Sequence, residues 1–174
     1  MSLNGASIRK ENILKESPLQ GKYNFFYPNH PEGIYGVQKY QKITIQEVYK
    51  GIDWVIYLTD EGGMKYDFIV HSEGNYEDIQ LVYRSKNPIN ISAAGQLEMT
   101  TKYGDIEESA PVSFYQGNTI TTRFVKSKSK AININGDTGF ETTILFEFDN
   151  LPASLQDDLI IDPELVWCTF INSS

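Results

Sequence analysis

A chain of 174 residues with 40% hydrophobic and 22% charged residues is long enough to bury one ordinary core without disulfides or a structural metal. Its net charge of −8 repels phosphate backbones and removes the counterion-release term that drives nucleic-acid binding. A single cysteine, Cys168, excludes an intrachain disulfide and any cysteine-rich metal cluster.

Eleven tyrosines and nine phenylalanines favour strands, because flat rings pack well on pleated surfaces. Residues 1–20 show neither alternation nor a helical stripe and read as an irregular arm, leaving residues 21–174 as a single β domain. Residues 23–27 are an aromatic run ended by Pro28, with Pro31 marking a loop, since proline removes a ladder donor. Residues 36–49 alternate imperfectly, as in a half-exposed strand, and residues 54–58 lack any polar position, as in a strand covered on both faces. The turn Thr59-Asp60-Glu61-Gly62-Gly63 joins them to a return strand whose inner face is Tyr66, Phe68 and Val70.

Residues 72–78 read as a loop or one helical turn. Short strands follow around residues 79–83, 89–91, 97–101, 106–109 and 112–116, separated by Gly- and Pro-centred turns. Ile120, Thr122 and Phe124 mark an amphipathic strand, and Lys126-Ser127-Lys128-Ser129-Lys130 reads as a solvated loop rather than a binding patch. Ile132 and Ile134 form a short strand. The longest period-2 run is Phe140, Thr142, Ile144, Phe146 and Phe148, one face of which belongs in the core. Residues 152–158 are the one place for a short helix, before strands at 159–161 and 165–171. The fold class is therefore all-β: an antiparallel β-sandwich-like domain with little helix.

In order along the chain, VYKGID at residues 48–53, KYDFIV at 65–70, GQLEM at 95–99, Ala110-Pro111-Val112 and IIDPELVWCTF at 160–170 resemble the uncharacterised β-rich domain that precedes SBBP repeats. Those are seven-bladed β-propeller-type repeats of large exported bacterial proteins. The resemblance covers roughly residues 23–174. It implies an extracellular or cell-surface address, with any export signal already removed, and downstream propeller repeats of the same chain as partners. It supplies no catalytic residues, and Asn172-Ser173-Ser174 stands where the family commonly has Gly-Gly-Ser.

For chemistry, Asp53 and Asp67 are the candidate carboxylate pair, since a glycosidase needs one group to protonate the leaving oxygen and another as nucleophile or base. Turn and strand-end acids are also common structural residues. His30 and His71 are the only histidines, which excludes a histidine-rich metal site. Asp60-Glu61 and Asp157-Asp158 lack the spacing of a calcium loop. No cofactor motif is present. Trp54, Tyr57, Tyr103, Tyr115 and Trp167 are candidates for a sugar-stacking surface. Of these, Tyr103, beside a glycine turn, and Tyr115 join Asp53 and Asp67 as expected ligand-binding residues. The expectation is a non-catalytic module of an exported protein, serving surface assembly, adhesion or glycan recognition, without nucleic-acid binding or membrane insertion. The alternatives are a glycoside-active enzyme and a structural spacer packed on a downstream propeller.

Overall fold

A computed structural model describes residues 1–59, 63–102, 104–163 and 165–167. Its strands are β1 (Ser2–Leu3), β2 (Ile13–Tyr27), β3 (His30–Tyr49), β4 (Ile52–Leu58), β5 (Met64–Val70), β6 (Leu81–Ser85), β7 (Asn90–Ile91), β8 (Leu97–Thr101), β9 (Gly104–Glu108), β10 (Val112–Tyr115), β11 (Asn118–Ile134), β12 (Asp137–Phe148), β13 (Leu159–Asp162) and β14 (Leu165–Trp167). Among the described residues helix is confined to single 3-10 turns at Lys10–Asn12 and Tyr76–Asp78. The strands form one ten-stranded path, β1-β6-β12-β11-β10-β13-β5-β4-β3-β2, and a small sheet, β14-β9-β8-β7. Every pairing described is antiparallel. The all-β, sandwich-like class is the observed one.

The ten-stranded path is curled. Strand β11 pairs with β10 through residues 118–121 and with β12 through residues 122–134, so one strand carries the sheet from one half to the other. Phe68 on β5 lies four strands from Phe146 on β12, which in a flat sheet would separate them by about 19 Å. Their ring centroids are 6.1 Å apart. The two halves therefore face each other and close the core between them.

That core follows from period 2. Tyr66, Phe68 and Val70 are buried, as are Thr142, Ile144 and Phe146, because alternate side chains of a strand share one face. Trp54 stands directly opposite Phe68 and stacks on it at 6.2 Å. Ile52 and Val55 point to opposite faces of β4 and both are buried, whereas Leu58 at the strand's end is exposed. Two-sided cover thus holds for the first half of β4 only.

The turn between β3 and β4 is pressed against the loop after β5. Gly51 adopts φ +67°, and a Cβ there would lie 2.7 Å from the backbone nitrogen of Gly74. Only glycine accommodates both the left-handed backbone and that approach. The β4–β5 hairpin closes through Thr59 and Gly63, whose backbone groups bond at 2.8 Å; Asp60, Glu61 and Gly62 lie outside the described residues.

Four expectations are corrected. Residues 1–20 are not an irregular arm: Ser2–Leu3 pairs with β6, and β2 begins at Ile13, because Ile13 and Leu14 find partners in Ile45 and Thr44. Pro28 does not begin a loop; it sits with Asn29 in a tight turn, after which β3 resumes at His30. The basic run at residues 126–130 lies within β11, paired to β12 with a bulge between Lys126 and Lys128, so residues 132 and 134 continue the same strand. Residues 152–158 form bends rather than a helix, seven residues being too few to repay helix nucleation without an apolar face packed on the core.

Candidate functional site

The structure brings each of the two candidate carboxylates to a different partner. Asp53 and Asp67 lie on one face of neighbouring strands, with Asp53 opposite Ile69 and Asp67 opposite Val55. Asp53 accepts a hydrogen bond from the Glu47 amide at 2.9 Å and lies 3.5 Å from His71 Nε2. The other ring nitrogen, Nδ1, is 2.9 Å from Asp158. The bond to Asp158 and the nearby Asp53 raise the His71 pKa against the opposing effect of burial, so the charged imidazolium is favoured. With both nitrogens committed, His71 is a clasp between β4 and the loop before β13 rather than a free base. It borders a cleft of about 530 Å³ with Glu47, Asp53, Glu73 and Asp158. Among the described residues no three potential ligands are gathered to hold a metal.

Asp67 accepts from the Tyr57 hydroxyl at 3.2 Å. Its pKa is pushed up to about 6, first by burial and then by the neighbouring carboxyl of Asp162, which lies on the adjoining strand β13. Asp53 and Asp67 thus stand diagonally across one face of β4 and β5, each held by its own partners: Asp53 by Glu47 and His71, Asp67 by Tyr57. Because the folded protein prefers protonated Asp67, this group contributes most stability below its ordinary value of 3.8, and the contribution is lost as pH rises through about 6. Replacing Asp67 by Asn is therefore expected to leave the melting temperature unchanged at pH 3.5 and to raise it at pH 7.5. A thermal melt series across that range reads the difference, and an equal shift at both ends would refute the assignment.

Tyr115 is a core residue, 8% exposed, whose hydroxyl accepts from the Gln156 amide at 2.9 Å. This corrects its expected ligand-binding role: the inward face of β10 claims the ring. Tyr103 and the Trp167 side chain lie outside the described residues. Trp54 is stacked in the core and Tyr57 is held by Asp67.

The exposed aromatic surface is elsewhere, on the β2–β3 hairpin. Strand β4 borders β3 over Lys42–Ile45 and again at Tyr49, and β2 ends the sheet. Among the described residues, from Pro18 and Tyr40 to the turn at Pro28, β2 and β3 thus pair only with one another, giving a ribbon roughly 30 Å long. Tyr23, Phe25 and Tyr27 occupy alternate positions and share a face, with centroids 6.3 and 6.2 Å apart and planes within 24° and 7° of each other. The opposite face carries Phe26 and Tyr35, 66% and 63% exposed, in an edge-to-face pair at 5.5 Å. Gly33, at φ +71°, permits this meeting, since a Cβ there would lie 2.9 Å from the Phe26 ring. Lys39 Nζ sits 4.3 Å from the Tyr23 ring centroid and donates to its hydroxyl at 2.9 Å. Sequence reasoning ended this run at Pro28. The available signal was the mirrored apolar set across the turn, Phe25 opposite Ile34 and Tyr23 opposite Val37.

The chain is thus an all-β domain with one projecting aromatic ribbon and a core closed by strand pairing. It matches, over residues 1–164, the family described as Domain of unknown function (DUF7948), and it belongs to that family. The match includes the first 20 residues, in keeping with the pairing of β1 and β2 into the sheet. No curated protein matches the chain. Among the described residues no helix is long and apolar enough to cross a membrane.

Proposed function

We propose that this domain is a non-catalytic recognition module of a larger exported or cell-surface protein, and that the β2–β3 ribbon is its contact organ. The observation that carries this reading is the exposure of aromatic rings on both faces of a ribbon that contributes nothing to the core. No residue between 14 and 42 belongs to the buried cluster or packs against it. Large apolar groups left in water without a folding role mark a surface meant to be covered. Surface assembly, adhesion and glycan recognition all use such a face, and the propeller repeats implied by the sequence resemblance would carry the module on the same chain.

The test is a protein in which residues 19–39 are replaced by an Asn-Gly turn joining Pro18 to Tyr40. Its melting temperature is expected to stay within a few degrees of the parent, because the core is untouched, while binding on a glycan array and to bacterial surface material disappears. Undiminished binding by the shortened protein would sink the proposal.

A second reading, the structural spacer, is favoured by Val112, Phe114 and Ile160, exposed neighbours on the outer face of β10 and β13. A following propeller packed there would slow amide exchange in these strands when the longer chain is compared with the domain alone. No change in exchange would count against it.

A further inference from the structure

We infer that the ligand of the ribbon is an acidic polysaccharide, its sugar rings lying along Tyr23, Phe25 and Tyr27 and its carboxylates meeting the Lys39 ammonium at the end of that row. This rests on the reading of the ribbon as a recognition surface and names what it recognises. Three features of the ribbon support it.

The first is charge. The projecting residues 18–40 carry Lys22 and Lys39 against Glu32, a net positive segment on a chain of net charge −8, and Lys42 at their base is paired with Glu16. The rest of the molecule therefore repels a polyanion. The ribbon projects several Debye lengths beyond the body, since that length is about 8 Å at physiological ionic strength. A polyanion is thus attracted to the ribbon and kept from the remaining surface.

The second is the row of rings. Three similarly oriented aromatic groups at intervals of 6.3 and 6.2 Å offer a repeated apolar face with hydroxyls at both ends. A linear polymer of pyranose rings has the matching chemistry: an apolar C–H face for each ring, hydroxyls for the tyrosine oxygens, and a repeating carboxylate. Lys39, already over the Tyr23 ring, ends the row with a cation.

The third is the tip, which separates this ligand from a lipid surface. Asn29, His30 and Glu32 stand at the turn, with His30 and Glu32 paired at 3.2 Å. Insertion into lipid would drive that polar end in first, together with the outer backbone edges of both strands, which have no partner strand there among the described residues. A polymer lying along the ribbon's face leaves both in water.

The probes are alginate, a polyuronate, and dextran, a neutral polysaccharide, compared by affinity electrophoresis at 50 and 500 mM NaCl. The intact domain is expected to be retarded by alginate at low salt, about tenfold less so at high salt because bound counterions are released on contact, and not by dextran. Combined replacement Tyr23→Ala, Phe25→Ala and Tyr27→Ala should abolish retardation. Lys39→Gln should weaken it several-fold and flatten its salt dependence. These side chains are outside the core, so the variants are expected to melt with the parent. Salt-independent retardation by dextran, lost in the ring variants, would overturn the acidic class while leaving the ribbon as a recognition surface. Failure with alginate alongside sedimentation with phosphatidylserine vesicles would replace the polysaccharide with a membrane surface and also overturn the inference. Unchanged alginate binding after the ribbon is shortened would overturn both this inference and the proposed role of the ribbon.

Discussion

Glu108→Ala is expected to lower the melting temperature by on the order of 10 °C, whereas Glu108→Gln leaves it near the parent value. Glu108 is 3% exposed and accepts hydrogen bonds from two buried tyrosines, Tyr66 on β5 and Tyr83 on β6, the latter at 2.7 Å. It stands at the end of β9, so this one side chain joins the small sheet to two widely separated strands of the large one. Alanine strands both hydroxyls, each at about 1 to 3 kcal/mol. In a chain of this length each kcal/mol moves the midpoint by roughly 2 to 4 °C. Glutamine keeps a carbonyl acceptor for one hydroxyl and offers its amide to the other, which can turn to accept. Wild type and the glutamine variant also separate by pH. Burial raises the Glu108 pKa despite the lowering effect of the tyrosine bonds. Wild-type stability from this group is therefore greatest in acid and declines as pH climbs from the ordinary glutamate value toward the raised one. The glutamine variant should lack that decline. Melts followed by circular dichroism at pH 4 and 8 read both effects, and equal losses for alanine and glutamine would show that the hydrogen bonds do not matter.

What could be read from the sequence was decided by locality. Tyr66-Phe68-Val70 and Thr142-Ile144-Phe146 were legible because period 2 is written into consecutive residues, and their burial follows it. The run at residues 126–130 was not legible, since a strand exposed on both faces has no apolar period and β11 is a strand there through its pairing with β12. The partners of the carboxylates were hidden for a related reason. His71 joins Asp53 to Asp158, and Asp67 neighbours Asp162, through sheet order and register between distant segments, which side-chain chemistry alone does not encode. Glu108 did leave a trace: it shares strand parity with Ile106, making it an acid on an otherwise apolar face, and such a residue must find buried donors. The aromatic ribbon shows the opposite limit. Rings at 23, 25 and 27 announce a face that seeks cover, but whether a second layer of the same chain supplies it depends on where the sheet ends.

That distinction gives the last expected result, a contrast between two phenylalanines. Phe68→Ala should cost about 3 to 5 kcal/mol, the usual range for a fully buried ring, and Phe26→Ala at most about 0.5 kcal/mol, as for an exposed site. Phe68 has no exposed surface and its ring meets Trp54, Tyr66 and Phe146. Its loss opens a void at the place where the two halves of the curled sheet touch. Neighbouring rings cannot fill that space without leaving their own partners, because Trp54 is fixed opposite by the β4–β5 ladder and Phe146 is held opposite Phe124 by the β11–β12 ladder. Phe26 has Tyr35 as its ring partner, and water already reaches most of its surface. Urea denaturation measures both, with the midpoint of Phe68→Ala falling sharply and that of Phe26→Ala staying near the parent. A large loss on removing Phe26 would mean that the ribbon packs against the body, and its rings would then belong to the fold rather than to a ligand.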